Sequence, residues 1–351
     1  MVSALGRHEV SEYLLVRIET DAGIDGAGEA TVMPLWSGET VWGAQALIDR
    51  IFAPQLIGQD PCDGDAIDLL LDRHAADNWF AKSAIEMACW DIRGKEAGVP
   101  LYKLLGGPVR PLSIRCRFSM GAYPVDRAQR RAAELVAEGF TTIKVKVGTQ
   151  LEADVERVRT VRETIGPDLD LVIDANCGYD VDSAIRAAQA MRSFDIGLFE
   201  QPTPRGDFAG LAKVRRAVDC PVMADDICFD LSHAQECIRN EACDVISVYP
   251  GKNGGLSKSK RIIDLAAKHD VACSIGSNLE LDVATAAMCH LVVACPNMQV
   301  ERFPGDVLGP EYHEVSIAKN PIRIDGPNVT INEQPGLGVE VDWATVESCS
   351  M

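Results

Sequence analysis

The sequence predicts a (β/α) barrel carrying a smaller α+β block, and three observations lead there. Between positions 141 and 226 four short apolar runs each end in charge. They read TTIKVKVG, LVIDANCG, IGLFEQPTP and PVMADDI, and their charged residues are Lys144 and Lys146, Asp174, Glu200 and Asp225. From Lys146 these ends recur at steps of 28, 26 and 25 residues. Each run is followed by turn residues and then by a helix-like stretch, the strand-then-helix unit of a barrel.

The chain opens differently. Residues 12–20 (EYLLVRIET) read as a strand, Asp21-Ala-Gly23 as a turn, and 26–30 as a second short strand. Helical spacing of apolar residues follows at 40–52 and 63–74. The clearest helix of this block is 80–97, where Ala84, Met87, Ala88 and Trp90 mark an apolar face beside a charged one. Gly98 and Pro100 stop it. This first block, 1–110, is expected to form an α+β unit.

From Pro111 the pattern alternates. Strands are expected at 112–118, 142–147, 170–174, 198–200, 222–224, 244–249, 271–275 and 298–301. Helices are expected between them at 124–138, 151–165, 181–192, 207–218, 231–240, 255–269 and 281–294. Eight strands favour closure into a barrel over 111–320. A doubly wound sheet would carry a phosphate loop after its first strand, and no GxGxxG or GxxxxGK[ST] follows 112–118. The tail, 321–351, is expected to pack back on the first block, with short strands and turns over 321–346.

Composition narrows the function. A net charge of −18 argues against sequence-independent nucleic-acid binding, which needs a basic surface. No apolar run reaches the ~18 residues of a membrane span, and MVSALGRHEV lacks the apolar core of a signal peptide. The 12 cysteines form no CxxC pair, so they are expected to be reduced thiols of a cytoplasmic protein.

Three carboxylates at the ends of consecutive parallel strands converge on one face and repel one another unless a cation lies between them. Each alone could be an ordinary solvated acid; three in register are harder to explain that way. Oxygen ligands without His or Cys suit Mg²⁺ better than Zn²⁺. Lys144 and Lys146 alternate with Ile143, Val145 and Val147, so both point into the barrel mouth while the aliphatic residues face the helices. Two ammonium groups side by side near a divalent cation disfavour protonation. A lysine so placed can act as a general base, and a cation holding a substrate carboxylate would stabilise the enediolate formed when an α-proton leaves.

Over nearly its whole length the chain resembles the enolase superfamily, in its muconate-lactonising-enzyme subgroup. The matching stretches are AKSAIEMACWDIRGKEAGVPLYKLLGG, IKVKVG, DANCGY, FEQP, ADD, YPGKNGGLSKSKRI and PGLGVEVD. The resemblance implies a modified (β/α)₇β barrel with an α+β capping domain and one Mg²⁺ per subunit. It implies Asp174, Glu200 and Asp225 as metal ligands, Lys146 as the acid/base residue and Lys144 as its partner. Asn176 would support the ligands, and Glu280 matches a position near the substrate end of the seventh strand. The mandelate-racemase branch is not matched: it resembles a barrel with a histidine on the seventh strand. Here that strand reads CSIGSN, and the six histidines (His8, His74, His233, His269, His290, His313) are expected on helices or at the surface.

Three departures from the family pattern matter. Tyr249 stands where a second lysine is usual at the end of the sixth strand, and Lys252 lies three residues on, in an expected loop. An unperturbed phenol, with a pKa near ~10, is a poor base. Asp226, next to Asp225 and a candidate hydrogen-bond acceptor behind the ligands, replaces a glutamate. The first strand begins so early that most of the usual lid element is expected to be missing, leaving the specificity loop short or supplied by a neighbouring subunit. The expected activity is proton abstraction α to the carboxylate of a small substrate, leading to cycloisomerisation or syn β-elimination. Racemisation or epimerisation of an amino-acid derivative or dipeptide, with Tyr249 or Lys252 on the second face, is the alternative. A metal-binding, non-catalytic relic is a third reading. A homo-oligomer without nucleic-acid or membrane partners is expected.

Overall fold

The computed structural model describes residues 2–7 and 10–350. A small hairpin, β1 (Val2–Ser3) and β2 (Gly6–Arg7), comes first. The cap hairpin β3 (Glu12–Glu19) and β4 (Asp25–Val32) follows, with the Thr20 hydroxyl closing its turn onto Ile24. The helix Trp79–Glu96 lies on β4. Glycine on β4 is what lets it approach: a Cβ at Gly28 would stand 1.8 Å from the Ala84 carbonyl oxygen. The expected charged face of this helix is not solvated, and residues 80–92 are buried without a break. Glu86 and Asp91 are enclosed because they bind backbone. Glu86 accepts from the amides of Leu256 and Ser257 in the barrel, and Asp91 accepts from those of Ala27 and Leu337.

The expected first barrel strand, 112–118, divides in two. β5 (Ser113–Arg115) is half-buried, with Ile114 inward and its neighbours exposed, which is the alternation of an antiparallel strand. β6 (Phe118–Met120) opens the barrel. After it come β7 (Thr142–Lys146), β8 (Asp170–Asp174), β9 (Ile196–Glu200), β10 (Val222–Ala224), β11 (Val245–Val248) and β12 (Ala272–Ile275). Together these seven form one parallel sheet in chain order, with helices between them. No regular strand forms at 298–301. Met298 makes a single parallel bridge to Cys273, and the chain then turns, with the Phe303 amide bonded to the Gln299 carbonyl. This irregular segment completes the circuit, because the Asp306 amide bonds to Ile275 and the Arg117 amide to Gly305. The fold is thus the modified β/α barrel with a cap. β5 pairs instead with the tail hairpin β13 (Arg323–Asp325) and β14 (Asn328–Thr330). Farther on, the tail bonds to the cap region through Gly336 and Leu337.

The barrel interior is layered. Val172, Leu198, Met223, Val245, Ala272 and Phe303 form an apolar plug. Side chains two residues apart on a strand share a face. The residue two positions beyond Val172 is Asp174, beyond Leu198 is Glu200, and beyond Met223 is Asp225. The same step from Val245 and Ala272 gives Ser247 and Ser274, also buried. A dry floor therefore carries a polar layer at the C-terminal mouth, where barrel chemistry is placed.

Candidate active site

Register sets the acids side by side. Lys146 is paired with Asp174 across β7 and β8, and Asp174 with Glu200 across β8 and β9. Lys146 Nζ lies 2.5 Å from Asp174 Oδ2, and Lys144 Nζ lies 3.1 Å from the same oxygen and 2.9 Å from Glu200 Oε1. Both lysines point inward, as their alternation predicts. The Asn176 side-chain oxygen accepts from Lys146 Nζ at 2.6 Å, and its backbone N–H donates to Asp174 Oδ1 at 2.9 Å. Asn176 has φ 38°, in the left-handed region that asparagine tolerates. Asp225 is placed from β10 by Gln201, whose Oε1 accepts from the amides of Asp225 and Ile227.

Sequence patterning missed two residues. Arg117, just before β6, is fully buried and donates to Glu200 Oε2 at 2.6 Å. Alternation alone could not separate it from the exposed Arg115. Trp36 comes from the cap, where its indole N–H donates to Asp226 Oδ1 at 2.5 Å and its ring stacks on Tyr249 at 5.6 Å. No local pattern marks it. The shorter reach of Asp226 is met from the cap side by this indole and, at 3.5 Å, by the Asn176 amide.

Lys252 is not in a loop. It lies on the single helical turn Pro250–Asn253, fully buried, and donates to Asp225 Oδ1 at 2.7 Å and to the carbonyls of Asp225 and Ser247. Its ammonium is bound beneath Asp225 and does not line the cavity. Tyr249 does line it, and a Cβ at Gly276 would stand 2.6 Å from the tyrosine ring, so only glycine admits the phenol there. Glu280 turns away from the cavity and accepts from the Ser277 hydroxyl and the Asn278 amide, bracing a loop whose residues 277–279 do line it. Ser3 and Leu5 reach the cavity as well, so a compact hairpin stands over the mouth where little lid was expected. Among the described histidines none lines the cavity; His8 lies outside the described residues.

The buried charges perturb one another. Burial favours the protonated form of Asp174, but Lys146 and Lys144 outweigh it and hold the carboxyl far below its ordinary range. Glu200 is raised, because burial exceeds the pull of Arg117. Burial and Arg117 lower Lys144, yet Glu200 and Asp174 outweigh them and its pKa is raised. Asp226 is pushed up to about 7 by burial and then by Asp225 and Asp174. Burial, followed by Asp225 and Asp226, drives the Tyr249 phenol well above 10. These surroundings favour the protonated phenol.

The donor chemistry suits a hard divalent cation: three carboxylates, oxygen only, on adjacent strands. Among the described residues no such cluster encloses one point as the side chains stand. Asp174 and Glu200 instead share the ammonium of Lys144, so a cation is already the partner these acids take.

Fold and site together define a capped β/α-barrel enzyme built to handle a carboxylate and a proton at one mouth. Two family models match the chain: Mandelate racemase / muconate lactonizing enzyme, N-terminal domain, over residues 1–106, and Enolase C-terminal domain-like, over 127–345. The hydrophobic dipeptide epimerase of Enterococcus faecalis is 33% identical over 340 residues, 96% of this chain and 94% of that protein. The crystal structure of the dipeptide epimerase from the same organism, complexed with Mg and the dipeptide L-Leu-L-Tyr, superposes with a TM-score of 0.92 at 32% identity, covering 97% of this chain and 94% of the other. Muconate cycloisomerase 1 of Rhodococcus opacus is 32% identical over 95% of this chain and 90% of its own length. Cis-3-hydroxy-L-proline dehydratase of Roseibium aggregatum is 31% identical over 94% and 88%. The chain belongs to the muconate-lactonizing-enzyme group of the enolase superfamily, and it is an enzyme of the isomerase or lyase kind. Among the described residues no helix is long and apolar enough to cross a membrane.

Proposed function

We propose that the enzyme uses Lys146 to remove the proton α to the carboxylate of a small substrate, on one face only, in a cycloisomerisation or a syn β-elimination. The observation that carries this reading is that, among the described residues, no second amine lines the far side of the mouth. β7 and β11 lie four strands apart in the sheet order, so Lys146 and Tyr249 face one another across the barrel. On the Tyr249 side stands a phenol stacked on Trp36, with Lys252 turned beneath Asp225. Asp174, Glu200 and Asp225 would hold Mg²⁺, which supplies positive charge to the carboxylate end of an enediolate. Asn176 orients the Lys146 amine through its side-chain oxygen. Lys144, between Asp174 and Glu200, supplies a fixed positive charge beside the reacting acid. After abstraction the Lys146 ammonium carries the proton and can return it on the same face or give it to a leaving group there.

The likeness to a dipeptide epimerase favours a second reading, inversion at the α-carbon, in which a group on the Tyr249 side delivers the second proton. A library of small carboxylic acids incubated in D₂O and read by mass and optical activity separates the two. Ring closure or loss of water, or deuterium entering with retention, supports one-face chemistry. Deuterium entering with inversion overturns it in favour of epimerisation. Unpaired thiols at all 12 cysteines support a cytoplasmic setting, and cell fractionation tests it. The expected homo-oligomer is tested by light scattering.

A further inference from the structure

The three acids share a detail that their role as ligands does not require. Each has one oxygen held by a fixed donor of the protein. Asp174 Oδ1 accepts from the Asn176 backbone N–H at 2.9 Å, Glu200 Oε2 from Arg117 at 2.6 Å, and Asp225 Oδ1 from Lys252 at 2.7 Å. The opposite oxygens of Asp174 and Glu200 meet the lysine pair. These donors cannot easily let go. Among the described residues Nε and Nη1 of Arg117 have no hydrogen-bond partner, and its guanidinium bonds Glu200 alone. A buried charge that loses its partner is left uncompensated in a low-dielectric interior, so the contact is strongly held. Lys252 is fully buried among three acceptor oxygens.

We propose that Arg117, Lys252 and the Asn176 amide act as positioning groups that withhold one oxygen of each acid, so that the site presents one oxygen per acid and selects Mg²⁺ over Ca²⁺. This rests on the metal-site reading above. Mg²⁺ keeps strict octahedral geometry, retains several waters and takes few protein oxygens. Ca²⁺ takes six to eight oxygens and commonly needs a bidentate carboxylate. A cage whose second oxygens are already bonded suits the first ion and starves the second. Arg117 and Lys252 also cancel two of the three acid charges, which weakens the general attraction for any divalent ion and leaves geometry to discriminate.

The test is titration calorimetry of the full chain with MgCl₂ and with CaCl₂. Wild type is expected to bind Mg²⁺ at least about tenfold more tightly than Ca²⁺. In Arg117→Met and in Lys252→Met the freed oxygen allows a bidentate acid, and the Mg²⁺/Ca²⁺ affinity ratio falls by roughly tenfold. Arg117→Lys keeps a donor on Glu200 and keeps the wild-type ratio, whereas a merely structural arginine would leave the ratio unmoved in Arg117→Met. An unchanged ratio in both methionine variants, or equal affinities in wild type, overturns the proposal. If those variants do not fold, a crystal structure of wild type with Mg²⁺ decides: monodentate contact by all three acids supports it, and any bidentate acid overturns it. Asp174→Asn separates the two levels. Wild-type Mg²⁺ affinity in that variant sinks the metal site itself, while loss of binding there with unchanged ratios elsewhere sinks only the selectivity.

Discussion

Lys146 Nζ and Asp174 Oδ2 stand 2.5 Å apart on residues that are register partners in adjacent parallel strands. The proposed base is thus placed by backbone pairing before any side chain chooses a rotamer. A slip of one residue in either strand would turn that strand's member of the pair towards the helices and part the two.

Replacing this lysine removes the cavity amine that the Asn176 side chain holds. In Lys146→Met, α-proton exchange with D₂O on any substrate turned over by wild type should fall by roughly a hundred- to ten-thousand-fold. Exchange at the wild-type rate would remove Lys146 from the mechanism.

Tyr249→Phe tests the other side of the mouth. A phenol that only donates a hydrogen bond contributes to binding or orientation, so KM should rise while exchange at the α-carbon continues. If exchange stops altogether, the phenol moves the proton and the one-face scheme is wrong.

Gly28→Ala should damage the cap. Its new Cβ would meet the Ala84 carbonyl at 1.8 Å, and backbone cannot swing aside as a flexible side chain can. A loss of about 1–3 kcal/mol or more is expected, read from the urea unfolding midpoint. An unshifted midpoint would mean that helix Trp79–Glu96 does not sit against β4 as described.

His290 makes stability pH-dependent. Its Nδ1 accepts from the Tyr102 amide and its Nε2–H donates to the Leu337 carbonyl, a pairing only the neutral ring satisfies. Burial lowers its pKa to about 4. The unfolded chain, with an ordinary value near ~6.5, therefore binds more protons between those limits, and stability is full above the upper one and lost as pH falls through the lower. His290 alone should remove about 3 kcal/mol by pH 4. Unfolding curves at several pH values should show His290→Gln losing less stability than wild type over this window; equal losses would count against the assignment.

Barrel class, strand spacing, the inward lysine pair and the three acids were legible because period-two alternation and a recurring strand–helix step are local properties. The same locality explains the errors. Strand 112–118 looked continuous, yet antiparallel pairing with β14 captures its first half. The segment at 298–301 is apolar enough for a strand but turns at once. Lys252 reads as a loop residue because nothing nearby in sequence shows that Asp225 and two carbonyls lie waiting for it.

Sequence by itself determined which lysines and acids of the strands stand at the barrel mouth, since alternation on a strand and the apolar plug beneath dictate which residues face inward. Only the tertiary structure decided who their partners are. Trp36 reaches Asp226 across 190 positions, and Arg117 reaches Glu200 across 83. Such bonds depend on how elements distant in the chain pack, and a buried charge or indole takes whichever partner that packing brings within reach.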